Sequence, residues 1–229
     1  MTRNTRTFAA LAIVLALSIS GCTLNTHDEP SAGPTSVASS KAPSPAPGPA
    51  KPAISQLVVT PDGLGPLAID QAPPVTNPDL DIAIFVPDYC AAEPEAPEKG
   101  MWRANYPSGS AIHPPFFPVV ADGVLRDIAI FSPDIKTKTG IGMGSTRAEV
   151  LAAYPGGFAS QVDNAPYSTV YVVAGTTGRL LIEVRSDDTE YWNASERGIV
   201  NVLTVIAADV TPFAVSGSDN YYWGVCVGP

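Results

Sequence analysis

Apolar and polar residues alternate along several short stretches of the chain, and this pattern predicts a fold built mainly from β-strands. Each stretch favours Val, Ile, Leu or aromatic residues and is bounded by Pro, Gly or Asp, as is typical of strands between turns. The predicted strands are residues 54–60, 81–86, 124–131, 169–174, 179–185, 199–207 and 222–227. A short loop with two glycines separates residues 169–174 from residues 179–185, which predicts an antiparallel hairpin.

One short helix is predicted in the second half of the chain. Thr146 and Glu149 have the spacing of a capping box, in which each side chain accepts a hydrogen bond from the other residue's amide. A Pro-Gly-Gly run follows two turns later and ends the helix. A helix this short is unstable alone, so we expect it to dock on a sheet through one apolar face. The residues of that face are Val150, Leu151 and Tyr154.

Two pairs of similar segments suggest an internal duplication. Residues 60–65 and 137–142 share a T-x-x-G-[LI]-G turn, 77 positions apart. Residues 123–131 and 198–206 share a glycine followed by a strand, 75 positions apart. The nearly equal offsets predict a tandem repeat of about 75 residues, with chance similarity between β-rich segments as the alternative.

The start of the chain has the pattern of a secretory signal. Arg3 and Arg6 precede an apolar stretch of about 12 residues, and no acidic residue comes before Cys22. The stretch is shorter than the roughly 20 residues that a spanning helix needs. Residues 19–22 resemble the lipobox of bacterial envelope lipoproteins. The resemblance implies cleavage before Cys22, acylation of Cys22 and attachment to the extracytoplasmic face of the cell membrane, with an ordinary signal peptide as the alternative.

Residues 22–53 predict a disordered tether. Seven prolines between Pro30 and Pro52 are interspersed with Ala, Ser and Gly, so the segment has little apolar surface to bury. Proline favours an extended backbone of about 3 Å per residue, and the tether would hold the folded part away from the bilayer.

The predicted fold class is α+β, with antiparallel sheet dominant and one or two short helices. The expected organisation is a lipoprotein signal peptide at 1–21, the tether at 22–53, a first β-rich repeat at 54–131 and a second α+β repeat with a C-terminal strand at 132–229.

Charge narrows the choice of partners. Beyond the signal there are 11 basic and 22 acidic residues, a net charge of −11. Such a surface repels nucleic acid and anionic headgroups. We therefore expect no nucleic-acid partner, and contact with the lipid bilayer through acylated Cys22 alone, where two acyl chains would give a stable anchor.

Cysteine usage agrees with export. Once Cys22 is acylated, Cys90 and Cys226 remain, and two cysteines in an oxidising compartment usually pair. We predict a disulfide between them. The alternative, two free thiols or a redox pair, lacks a C-x-x-C motif.

Residues 142–150 form a G-x-G-x-T-x-x-E-V turn and helix start that precedes a predicted meander. This segment resembles the β-lactamase-inhibitor-protein-like fold of small envelope lipoproteins and inhibitor proteins. The resemblance covers residues 139–154 and implies short helices on an antiparallel sheet, often in tandem copies, and a role in binding proteins. The first copy departs from it, since Pro66, Pro73 and Pro74 stand where a helix would start. The whole chain also resembles uncharacterised lipoproteins of high-GC Gram-positive bacteria.

Sites for catalysis, metals or cofactors are not predicted. The glycine-rich turn at 140–144 precedes a helix, but no lysine follows, so it predicts a tight turn rather than a phosphate loop. The acidic residues at 187–190 lack the spacing of a calcium loop and predict a solvated turn. His113 is the single histidine beyond the tether, too few for the usual zinc sets.

Aromatic residues are the remaining candidates for binding, because they commonly anchor interfaces; the alternative is that they fill a small β core. The candidates are Trp102, Trp192, Tyr221, Tyr222 and Trp223. The predicted function is a non-enzymatic, membrane-anchored lipoprotein that binds an envelope protein or wall component. The alternatives are a glycan- or small-molecule-binding module and an unrecognised cell-wall hydrolase.

Overall fold

The structure, a computed structural model, describes residues 50–75, 77–92, 99–107 and 114–217. These residues form short strands, one α-helix and two 3₁₀ turns, Ile54–Gln56 and Ala194–Glu196. The elements are β1 (Val58–Thr60), β2 (Gly63–Leu64), β3 (Leu67–Ala68), β4 (Ala83–Val86), β5 (Met101–Ala104), β6 (Phe116–Ala121), β7 (Val124–Ile130), β8 (Lys136–Thr137), α1 (Arg147–Ala153), β9 (Ser160–Asn164), β10 (Ser168–Ala174), β11 (Gly178–Arg185) and β12 (Val200–Ala207). The predicted α+β class is confirmed.

The largest sheet has six antiparallel strands in the order β6-β7-β12-β11-β10-β9. A four-stranded sheet has the order β3-β2-β1-β8, in which β1 and β8 are parallel, and β4 pairs with β5 in a separate hairpin. The hairpin predicted from the Gly-containing loop is β10–β11, with Tyr171 opposite Ile182.

The strand predictions succeed where the chain is strongly apolar. The segments predicted at 81–86, 124–131 and 199–207 match β4, β7 and β12. The segment predicted at 54–60 is shorter, because its first half is a 3₁₀ turn, and the strand predicted at 222–227 lies outside the described residues.

Six strands of the structure were not predicted, namely the two-residue strands β2, β3 and β8 and the longer strands β5, β6 and β9. β6 contains Pro118, which weakens a strand prediction because proline lacks a backbone donor. β9 has the mostly polar sequence SQVDN, which gives no hydrophobic signal, and β5 has the sequence MWRA, in which apolar and polar residues do not alternate.

Helix α1 begins with the predicted capping box. The Thr146 side chain accepts from the Glu149 amide, and Glu149 Oε2 accepts from the Thr146 amide at 2.7 Å. These bonds from the Thr146 amide and hydroxyl hold the pKa of Glu149 below its usual value.

The face through which α1 docks is narrower than predicted. Val150 is fully buried and Tyr154 packs against the main core, but Leu151 is 48% exposed, so the expectation that Leu151 docks was wrong. Positions four apart on a helix share a face, whereas adjacent positions point about 100° apart. A seven-residue helix that docks through Val150 and through Tyr154, the residue just after its end, therefore leaves Leu151 about half exposed.

The segments that suggested a duplication lie next to each other. β7 and β12 pair antiparallel at the centre of the large sheet, and β1 and β8 pair with Val59 opposite Thr137. The two glycine-preceded strands thus belong to one sheet, and the strands at the two T-x-x-G turns belong to another. Residues 66–74 contain β3 and turns but no helix, which agrees with the prolines there.

One face of the large sheet packs in the main hydrophobic core, and the opposite face is covered by the segment after β12. Val170, Val172, Leu181 and Ile206 form a small cluster there, and Val210, Phe213 and Ala214 pack on it. Glu183, only 2% exposed, holds this segment, because its carboxylate accepts bonds from the Val215 and Ser216 amides at 2.7 and 2.8 Å. Ser168 Oγ donates to the same carboxylate at 2.7 Å.

Asp62 fastens the four-stranded sheet to the β10–β11 loop. Its Oδ1 accepts hydrogen bonds from the amides of Thr176, Thr177 and Gly178 at 2.6, 2.7 and 3.1 Å. A side chain at Gly175 would collide with the same oxygen. Burial acts to raise the pKa of Asp62, but the three amide bonds outweigh burial and hold the pKa below its usual value.

Replacing this carboxylate should destabilise the fold in a pH-dependent way. We expect Asp62→Ala to lower the free energy of unfolding by about 1 kcal/mol at neutral pH, since the group is partly exposed. A depressed pKa stabilises the folded state above the unfolded-state pKa, and the contribution disappears as the pH falls through the folded-state pKa. Urea unfolding at several pH values measures this. The control Asp134→Ala removes an exposed carboxylate; an equal loss in both variants at every pH would contradict the assignment.

Candidate functional site

An open groove of about 540 Å³ lies where the β9–β10 turn, the start of α1 and the loop after β11 meet. Asp163 comes from β9, while Asp187, Asp188 and Glu190 come from the loop. Arg147 at the start of α1 is the basic residue among the lining side chains. Four carboxylates and one guanidinium give the groove a negative potential that would attract cationic groups.

Arg147 fixes the shape of the groove. Its Nε donates to Asp187 Oδ2 at 2.5 Å, and its terminal nitrogens donate to Tyr171 Oη at 2.8 Å and to the Arg185 carbonyl at 3.0 Å. Burial acts to lower the pKa of Arg147, but its bonds to Tyr171 and Asp187 outweigh burial and raise it. The Arg147 side chain therefore connects α1, β10 and the loop through its hydrogen bonds. The net charge that a ligand would meet in the groove comes from the remaining carboxylates, Asp163, Asp188 and Glu190.

An aromatic stack adjoins the groove at Glu190. The Tyr191 ring makes edge-to-face contacts with Tyr167 and Trp192, at centroid distances of 4.5 and 5.0 Å. Trp192 donates its Nε1 hydrogen to the Tyr167 carbonyl at 2.6 Å, and the Arg185 guanidinium lies 4.4 Å from the Trp192 ring centroid. Tyr191 remains 56% exposed, so a large aromatic ring is held in place at the surface.

The structure describes two of the predicted aromatic residues, Trp102 and Trp192, and they lie in different places. Trp102 on β5 is half-buried against the main core, where its ring contacts Phe85. Trp192 is half-buried within the stack beside the groove. Tyr221, Tyr222 and Trp223 lie outside the described residues.

The predicted covalent sites are only partly described. Cys90 is buried, at 1% exposure. Its predicted partner Cys226 and the predicted lipidation site Cys22 lie outside the described residues. The disulfide and the acylation remain predictions.

The described residues agree with the structural roles expected for the glycine turn. The Gly142 amide donates to Ser145 Oγ and the Gly144 amide donates to the Val200 carbonyl. Both amides are thus used in hydrogen bonds within the protein. Within the ranges that the structure describes, no group of three or more His, Cys, Asp or Glu residues is placed to hold a metal ion. His113 lies outside those ranges.

No helix in the described part of the chain is both long and apolar enough to cross a bilayer.

Sequence reasoning noticed two parts of this site separately and missed the others. The sequence predicts a solvated turn at the acidic residues 187–190 and makes Trp192 a candidate for binding. Asp163 and Arg147 were missed as members, because they are 24 or more positions from that turn and no local pattern links them. The capping box marked the position of Arg147 but gave no sign of its contacts with Asp187 and Tyr171.

Comparison with known proteins identifies no family. No protein-family model matches the chain, and no curated protein matches it significantly. A solved structure that matches is that of the uncharacterized protein YfeY from Escherichia coli, at 11% identity. The match covers 66% of this chain and 99% of that one, with a TM-score of 0.35. A similarity at this level supports no argument about fold or function.

Loss of the Arg147 contacts should loosen the groove. We expect Arg147→Met to lower the free energy of unfolding by about 1–3 kcal/mol, because it removes three hydrogen bonds at a partly buried site. Amide hydrogen exchange in residues 186–190 should also become faster. The matched control is Lys138→Met, which removes an exposed cation on a turn. Unchanged exchange in residues 186–190 of the Arg147 variant would show that Arg147 does not shape the groove.

Proposed function

We propose that the chain is a lipid-anchored protein of the extracytoplasmic face of the cell membrane, and that its folded part binds another envelope protein without catalysing a reaction. The lipobox-like residues 19–22 and the proline-rich segment after them support the anchor and the tether. The exposed Tyr191 ring, held in place beside the acidic groove, carries the binding proposal.

Tyr191 has the properties of an interface anchor. Its ring is already ordered by Tyr167 and Trp192, so a partner that covers it loses less conformational entropy than one that must order a mobile side chain. Tyrosine combines a large apolar surface with a hydroxyl, which is why it is enriched in protein interfaces. The charged groove next to it adds specificity for partners of opposite charge.

A wall glycan is the second candidate ligand, and the same ring favours it. An exposed tyrosine face also suits stacking against a sugar. The Trp192 face is less suitable for this purpose, since the Arg185 guanidinium already lies over its ring.

Acylation should depend on Cys22 alone. When cells are fed an alkyne-tagged fatty acid, the wild-type protein should become labelled and Cys22→Ala should not, because the acyl chains are attached at that residue. Gel fluorescence of the immunoprecipitated protein measures the label. Cys226→Ser is the matched control and should label normally; absence of label on the wild-type protein would rule out the lipid anchor.

The protein partner should depend on Tyr191. In-cell crosslinking of the full-length protein, followed by mass spectrometry, should recover an envelope protein whose yield falls about tenfold or more in Tyr191→Ala, as for loss of an interface anchor. Phe85→Ala is the control, since Phe85 is an exposed aromatic on a different sheet. Recovery of no protein, together with Tyr191-dependent retention on purified wall glycan, would replace the protein partner by the glycan.

A further inference from the structure

The two edge strands of the six-stranded sheet differ in how well they are protected against pairing with a further strand. At one end, β6 contains Pro118, has a register shift between Val119 and Val120, and lies beside β5. Proline, bulges and covering elements are the means by which proteins prevent unwanted pairing at a sheet edge. At the other end, β9 pairs with β10 in continuous register from Ser160 to Asn164. It contains neither proline nor lysine.

β9 therefore has an edge suited to strand addition. Within the ranges that the structure describes, no strand pairs with the side of β9 that faces away from β10. Alternate backbone N–H and C=O groups of an end strand point away from its sheet and can bond an additional strand. Ser160, Gln161 and Asp163 are exposed along it.

The acidic groove determines which strand would fit. Asp163 on β9 pairs with Thr169 on β10, and both line the groove. The groove therefore lies on the face of the sheet that carries the Asp163 side chain, at one end of β9. If a strand were added beside β9, its side chains on that same face would point into the groove. Asp188 and Glu190 are exposed there, so a basic side chain is favoured and an acidic one repelled.

The same charge argues against a second copy of this chain as the occupant. The chain carries a net charge of −11 beyond the signal, and two copies paired through β9 would bring two acidic grooves together. Like charges across an interface oppose association.

We propose that β9 binds an extended, lysine- or arginine-containing segment of an envelope protein as an added β-strand, with a basic side chain in the acidic groove. The inference rests on the proposed protein-binding function and specifies its surface and the chemistry of its partner. Backbone bonds to β9 supply affinity, while the groove selects the basic side chain.

The test uses three blocked heptapeptides and the folded protein. The first is Thr-Lys-Val-Lys-Val-Lys-Thr, the second has Glu in place of Lys, and the third is the lysine peptide with alternate backbone nitrogens methylated. The lysine peptide should bind saturably and slow amide exchange in residues 160–164. The other two should bind about tenfold more weakly or worse, since one lacks the charge and the other the backbone donors.

A pair of variants separates the groove from general charge. Asp188→Lys combined with Glu190→Lys should weaken binding of the lysine peptide about tenfold or more, because it reverses the charge at the end of the edge. Asp134→Lys combined with Asp79→Lys changes the net charge equally at exposed turns elsewhere and should leave binding nearly unchanged.

Four results would overturn the proposal. Equal binding of the methylated peptide would indicate attraction by charge without strand addition, and equal binding of the glutamate peptide would remove the role of the groove. Slow exchange of residues 160–164 in the protein alone would show that another part of the chain covers the edge, and protection that grows with protein concentration would indicate a second copy. If crosslinking in cells still recovers a Tyr191-dependent partner after any of these results, the proposed function stands and only its surface is wrong.

Discussion

The pairing of β7 with β12 is the contact on which the rest of the structure depends. It joins two segments about 75 residues apart, with Ile130 opposite Leu203 and Ile128 opposite Val205. All four of these side chains are fully buried. Because burial of large aliphatic side chains is the main favourable term in folding, this pairing makes one sheet from both halves of the chain. The flanking strands add to it in both directions, which places β6 at one end and β9 at the other.

Polar contacts determine the positions of the loops around this sheet. Asp62 holds the β10–β11 loop, Glu183 holds the segment after β12, and Arg147 holds the loop after β11. In each case a charged side chain bonds groups from a distant segment, usually backbone groups. Such bonds are directional and costly to leave unmade, so they specify one position for each loop where apolar packing alone would allow several.

The proposed binding surface depends on both the strand pairing and the polar contacts that hold the loops. Among the strands that the structure describes, the central pairing leaves β9 at the end of the sheet, and Arg147 positions the acidic loop next to it. Asp163 belongs to both parts, since it lies on β9 and lines the groove. Tyr191 continues the surface beyond Glu190, and its contacts with Tyr167 and Trp192 keep it ordered. An extended backbone edge, a negative groove and an anchored aromatic ring are thus adjacent, although they come from segments far apart in the chain.

The sequence by itself determined the α+β class, the β10–β11 hairpin and the capped start of α1, because these depend on residues a few positions apart. It also marked the acidic loop and Trp192, though as separate features. The tertiary structure alone decided that Leu151 is exposed, that the polar segment SQVDN is a strand, and that Asp163 and Arg147 join residues 187–190. A polar end strand gains its order from pairing with a neighbour rather than from its own apolar side chains, and a groove between three segments exists only once the sheet has brought them together.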